Sequence, residues 1–324
     1  MGGSIAAAAG AALFANRRTA RTLLTPVLQQ REPPPGDGQW LSGMAMGGGG
    51  VRRWWLYRPP DARFGERLPL MVMLHGCRQH ANVFATSTRM NRIAARERFL
   101  VLYPEQDRAA NAQGCWNWFD TASGRAYREA ASIMSAIDQV CVLYSADRDR
   151  IAVAGLSAGA SMAALLAIRQ PQRFKAVIMH SGIPPGTAHS TLSAVSAMHG
   201  GRNTRPLPAS PEATGTVLPP LLVIHGREDT VVAPSNAQAA VQVWADATGA
   251  RGGAQRTVQR GNRYGTEVTD FRRSGRTAAT LVDVATLGHA WSGGAAGQAY
   301  SDGQGPDASR MAWRFAQRQF EEAA

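Results

Sequence analysis

The 324-residue chain is 44% hydrophobic and 18% charged with three cysteines. These values exclude collagen-like, low-complexity and disulfide-rich scaffolds and leave ample length for a core, in one large domain or two small ones. Its net charge is +12, yet Lys175 is the only lysine among 35 basic residues, and adjacent basic pairs occur only at Arg17-Arg18, Arg52-Arg53 and Arg272-Arg273. With no long basic run and no RNA-binding signature, this reads as arginine scattered over a surface, not a nucleic-acid footprint. No apolar run reaches the length of a membrane span.

Residues 1–45 read as a flexible or weakly helical N-terminal extension, rich in Ala and Gly and punctuated by Pro33-Pro34-Pro35. Ile5 to Ala15 has the apolar character of a signal-peptide core, but the basic pair Arg17-Arg18 follows it instead of preceding it, which leaves export or a cytoplasmic location open. Residues 46–324 read as one domain. Val51 to Arg58 is a strand ended by Pro59-Pro60, and Leu70 to Leu74 is a continuous apolar run of buried-strand length. A helix carrying Met90, Ile93 and Ala94 on one face follows, then a buried strand at Phe99 to Tyr103. Glu129 to Tyr144 places Ile133, Ile137, Val140 and Tyr144 at helical spacing.

The apolar run from Ile151 then meets Gly155-Leu156-Ser157-Ala158-Gly159, and the helix-forming stretch Ser161 to Ile168 follows. A G-x-S-x-G at a strand-to-helix junction is a nucleophile elbow, in which glycines on both sides give the clearance for a sharp turn. Ala176 to Met179 and Leu221 to Ile224 are further buried strands. The Gly/Pro/Ser/Thr-rich residues 181–220 between them are too long for a simple connection and suggest a lid or cap. Thr266 to Phe271 and Ala278 to Val284 form a hairpin around Ser274-Gly275, and Ser309 to Glu322 is a closing helix. Apolar strands alternating with helices imply an α/β fold, with a mostly parallel, doubly wound sheet covered by helices on both faces.

An activated serine needs a base within reach and an acid that fixes the imidazole tautomer. In doubly wound hydrolases these follow the serine in the order acid, then histidine. Asp229 lies just after the strand at Leu222, with Glu228 as its nearest rival and a turn or capping role as the plainer reading. Of seven histidines, His289 alone follows both Ser157 and Asp229; His75, His180 and His225 sit at strand ends, where His75 and His225 suit a structural hydrogen bond. The oxyanion hole needs two amide donors, for which Ala158 and Cys77, in the loop after the early strand, are the candidates. No metal-binding motif is present and no cofactor is called for.

Six segments in consistent order, LHGCRQ at 74–79, YPEQD at 103–107, GCWNWF at 114–119, RIAVAGLSAGASM at 150–162, HGREDTVV at 225–232 and LGHAWSGG at 287–294, resemble the polyhydroxybutyrate depolymerase family of esterases within the α/β hydrolases. The resemblance implies Ser157 as nucleophile, Asp229 as acid, His289 as base and the Cys77 and Ala158 amides as oxyanion donors. It also implies hydrolysis of 3-hydroxyalkanoate or related esters, without cofactor. Trp116, Trp118 and Trp291 lie in the matched segments, either as an aromatic wall for an acyl chain or as core packing. Cys77 and Cys115 are the pair to test for a bridge, and Gln79 and Asn82 could orient the oxyanion loop. No Thr/Ser-rich linker and polymer-binding module follow the matched region, which shifts the expected substrate toward oligomers, amorphous polymer or small acyl and feruloyl-type esters. The partner expected is therefore an ester substrate, not nucleic acid. A feruloyl or acetyl-xylan esterase on the same scaffold and, farther off, a non-catalytic granule- or polyanion-binding protein are the alternatives.

Overall fold

The computed structural model describes residues 34, 36–63, 65–201 and 217–322. Its centre is an eleven-stranded sheet. Strands β3 (Leu68–Leu74), β4 (Leu100–Pro104), β5 (Ala146–Leu156), β6 (Ala176–His180), β7 (Leu221–Gly226) and β11 (Arg276–Val284) run parallel in the order β4-β3-β5-β6-β7-β11. Their central stretches are apolar because helices cover both faces there, while the start of β5 and of β11 is polar and reaches solvent. Alternation sorts the side chains: Leu70, Val72 and Leu74 enter one core, Met71 and Met73 the other.

The first core is closed by α3 (Arg125–Leu143), α4 (Ala158–Arg169) and α6 (Ser235–Thr248). The second is closed by α1 (Ala81–Thr88), α2 (Met90–Glu97) and α7 (Ala308–Glu322). Each Val, Leu or Met buried in these layers contributes roughly 1.5–3 kcal/mol against the entropy of ordering the chain. The helix read from Met90, Ile93 and Ala94 is α2, whereas α1 and α6 escape the periodicity reading. Both are alanine-rich and weakly amphipathic, so packing and not pattern makes them helices.

At one edge, β1 (Gln39–Gly47) pairs antiparallel with β2 (Gly50–Arg58), which in turn pairs antiparallel with β4. Residues 39–45, assigned from the sequence to the extension, are thus part of the sheet; β1 alternates mildly and carries two glycines, which hid it. The rest of the extension up to residue 33 lies outside the described residues. At the other edge, β10 (Thr266–Arg273) makes the expected hairpin with β11 and also pairs with β8 (Arg251–Gly252) and β9 (Arg256–Val258). Within residues 181–220, α5 (Thr191–Met198) is capped by Ser190 and held to α6 by a 2.9 Å bond from Asn236 Nδ2 to the Ala197 carbonyl. Residues 202–216, the remaining part of the suggested lid, are outside the described residues. Among the described residues no helix is long and apolar enough to cross a membrane.

Candidate active site

Strand β5 delivers Ser157 to the turn before α4 with φ 55° and ψ −122°. A serine in that region stores about 1–3 kcal/mol, which the surrounding packing must offset. The close approach explains the flanking glycines. A Cβ on Gly155 would lie 2.3 Å from the Gly159 carbonyl group, and one on Gly159 would lie 2.1 Å from the Leu74 oxygen. Strand, turn and helix interpenetrate at backbone distance, so neither position tolerates a side chain. The Ser157 amide is consumed by the His180 carbonyl at 2.9 Å, which locks the elbow to β6. The amide of Ala158 opens the helix and has no intrahelical acceptor.

Asp229 and His289 meet directly. His289 Nδ1 lies 2.8 Å from Asp229 Oδ2, with the carboxylate fully buried and the imidazole 9% exposed. An ionised carboxylate only accepts, so Nδ1 carries the proton and Nε2 is left as a base. The other oxygen, Oδ1, accepts the amides of Val231 at 2.9 Å and Val232 at 2.8 Å, so the loop after β7 wraps its own aspartate. Burial works to raise the Asp229 pKa; hydrogen bonds from His225 and His289, with the Val232 amide, overcome it and hold the carboxyl well below its usual range. Asp229, not its neighbour Glu228, therefore holds the histidine.

His180, at the end of β6, links the two halves of the site. Its carbonyl takes the Ser157 amide, its Nε2 accepts the Ser292 amide at 3.0 Å, and its ring stacks on Trp291 with centroids 5.0 Å apart. The elbow and the loop bearing His289 are thus tied through one buried residue. The sequence offered only its position at a strand end as a clue. Burial keeps its imidazole neutral, with a pKa lowered to about 3. No hydrogen bond joins the Ser157 hydroxyl to His289 among the described residues; such contacts often tighten only when substrate is bound.

The loop after β3 packs on the elbow, where a Cβ on Gly76 would come 3.6 Å from Ser157 Cβ. Three ties fix it. Cys77 is disulfide-bonded to Cys115, the bridge that the resemblance suggested, while Cys141 is a buried free thiol. Gln79 Oε1 accepts the Gly76 amide at 3.0 Å. His75 Nδ1 donates to the Gly76 carbonyl at 2.9 Å, and its Nε2 accepts the Gln106 amide at 3.1 Å. Burial lowers the His75 pKa to about 4, partly offset by the Gly76 bond. Behind this loop lies buried Arg52, which donates to the Gln106 side chain and sits over the Trp116 ring. Neither the role of Arg52 nor that of Gln106 was visible in the sequence, because both partners lie more than fifty residues from each other.

The tryptophans correct an expectation. Trp116 and Trp291 have no exposed surface, and their indole N–H groups are spent on the His75 carbonyl at 3.1 Å and Ser309 Oγ at 3.0 Å. They brace the two loops and offer no wall to a ligand. Trp118 keeps 6% of its surface exposed, edge-on to Phe119. Among the described residues, no cluster of three His, Cys, Asp or Glu side chains is placed to hold a metal ion.

The chain is similar to known proteins. The profile of the family described as esterase PHB depolymerase matches residues 53–260. Poly(3-hydroxyalkanoate) depolymerase C of Paucimonas lemoignei is 33% identical over 54% of this chain, and the match spans 44% of that relative's own length. Feruloyl esterase B of Neurospora crassa is 27% identical over 59% of this chain and 68% of its own. Among solved structures, an acetyl xylan esterase from Aspergillus awamori superposes with a TM-score of 0.62 at 20% identity, covering 78% of this chain and 94% of its own. S-formylglutathione hydrolase from Staphylococcus aureus gives 0.52 at 14% identity over 89% and 99%. The shared architecture is the α/β-hydrolase fold.

Proposed function

Because the chain belongs to the esterase PHB depolymerase family, we propose that it is a serine esterase that hydrolyses carboxylic esters, with 3-hydroxybutyrate oligomers or polyester as the substrate class. The observation that carries this reading is the 2.8 Å bond between His289 Nδ1 and the buried Asp229 carboxylate, in a chain that turns Ser157 out on a strained elbow. Ser157 Oγ attacks the ester carbonyl while His289 Nε2 takes its proton. Asp229 stabilises the imidazolium without itself becoming protonated.

Negative charge develops on the carbonyl oxygen, and the amides of Cys77 and Ala158 are its donors in this scheme. Each such donor is worth roughly 10²–10³ in rate, because it is already oriented when the charge appears. Collapse of the tetrahedral intermediate passes the proton from His289 to the leaving alcohol and leaves an acyl group on Ser157. Water, activated by the same imidazole, then releases the acid. Of the three tryptophans, Trp118, which alone keeps a small part of its surface exposed, is the one we retain as an acyl contact.

A feruloyl- or acetyl-xylan-type carboxylesterase is the second reading, favoured by the Neurospora crassa relative and the Aspergillus awamori structure. Parallel assays with 3-hydroxybutyrate oligomers, methyl ferulate and acetylated xylan separate the two. Ser157→Ala is expected to abolish p-nitrophenyl butyrate hydrolysis with an unchanged thermal melt; near-normal turnover would sink the esterase reading.

A further inference from the structure

A concavity of about 570 Å³ lies away from Ser157, Asp229 and His289, between the β9-β10-β11 end of the sheet and helix α7. Such a volume is within the span of about 300–1,000 Å³ typical of small-molecule sites. Its floor is apolar: Leu222, Val268 and Val282 from the sheet, with Met311 and Phe315 from α7. Its rim carries six arginines, Arg256, Arg260, Arg263, Arg310, Arg314 and Arg318.

Two acids share the rim, and both accept hydrogen bonds from the protein. Asp270 is paired with Arg256 at 2.7 Å and accepts from Thr280 at 2.8 Å, and Asp307 caps the Arg310 amide at 2.9 Å. Arg260, Arg310 and Arg314 make no ion pair among the described residues, and Arg310 Nε is buried without a partner. A buried guanidinium N–H left unbonded is costly, and a carboxylate is the group that matches its fork.

We propose that this groove binds a medium-chain carboxylate, with the alkyl chain on the apolar floor and the carboxylate on Arg310 and Arg314. The walls, strand face on one side and helix on the other, suit a single chain entering between them better than a flat membrane. The site is separate from the ester chemistry, because none of Ser157, Asp229 and His289 lines it.

Isothermal titration with octanoate, octan-1-ol and acetate tests both halves of the proposal on the full chain. Octanoate is expected to bind once per chain, with the alcohol and acetate each weaker by about tenfold or more, as expected when a charge-assisted bond or the apolar chain is missing. Arg310→Gln with Arg314→Gln is expected to bring octanoate down to the level of octanol. Met311→Trp, which fills the floor, is expected to abolish binding at an unchanged melting temperature. Equal affinity for octanoate and octanol, no loss in the arginine double variant, or association with phosphatidylglycerol vesicles without binding of free octanoate would each overturn the proposal.

Discussion

The two strands that flank the elbow strand end in the same way and are secured differently. On one side β3 is followed at once by His75, whose Nε2 accepts the Gln106 amide; on the other β6 ends in His180, whose Nε2 accepts the Ser292 amide. Both rings are buried and held neutral. Beyond that the symmetry stops. The His75 side carries the candidate oxyanion loop and is tied covalently through Cys77 and Cys115. The His180 side carries His289 and is held by hydrogen bonds and the stacking of Trp291 alone. The contrast suits the proposed roles. Oxyanion donors act best when fixed in advance, whereas an imidazole has to pass one proton between nucleophile and leaving group.

Breaking the non-covalent side at its acid gives the largest effect. Asp229→Asn keeps an oxygen for the Val231 and Val232 amides but no longer fixes the tautomer of His289, and kcat is expected to fall by about 10⁴. Steady-state kinetics with p-nitrophenyl butyrate, beside a melt that shows the fold intact, check this. Breaking the covalent side comes next. Cys115→Ser opens a loop with a sequence separation of 38, which the chain-entropy account values at roughly 4 kcal/mol. Urea melts measure it, and a variant as stable as the parent would mean that Gln79 and Arg52 already hold the loop.

The histidines then sharpen the comparison. His180→Phe and His75→Phe preserve a flat ring but leave the Ser292 or Gln106 amide without its acceptor, at about 1–3 kcal/mol each. With the bridge intact, His75→Phe is expected to lose stability and little kcat. His180→Phe is expected to lose both, because nothing covalent holds the loop of His289. Equal kcat losses in the two variants would remove the proposed difference between the sides.

These residues also mark what could be read from the chain. The parallel core was legible because six apolar runs of strand length alternate with longer segments. Ser157 was marked by the G-x-S-x-G at a strand-to-helix junction, Asp229 by its place after a strand and His289 by chain order, and the Asp229–His289 contact agrees with that order. What stayed hidden has a common cause. Gln106 and Arg52 act through contacts between residues far apart in the sequence, and β1 is a weakly patterned edge strand; neither leaves a local signal. Trp116 and Trp291 misled for a related reason. Their positions in loops near the site were legible, but the direction of a side chain depends on neighbours that the sequence does not specify.

Acid offers the finest probe of the paired histidines. Both have folded pKa values below the ordinary 6.5, about 4 for His75 and about 3 for His180, with burial the main cause. Below pH 6.5 the unfolded chain takes up protons that these folded rings refuse. Their contribution to stability is therefore complete above pH 6.5 and is lost progressively as pH falls toward those folded values. At pH 5.5 each ring accounts for a loss of about 1.4 kcal/mol, one pH unit of linkage. Asp229 does not confuse this window: its pKa is also lowered, so its contribution is lost only below the ordinary carboxylate range. Urea melts between pH 7 and pH 5 are expected to show the slope, and His180→Phe should remove the share of that ring, with His75 and His80, whose pKa burial also lowers, supplying the rest. An unchanged slope in that variant would mean that His180 takes its proton within the folded molecule, and the link between Ser157 and Ser292 would then open well above pH 4.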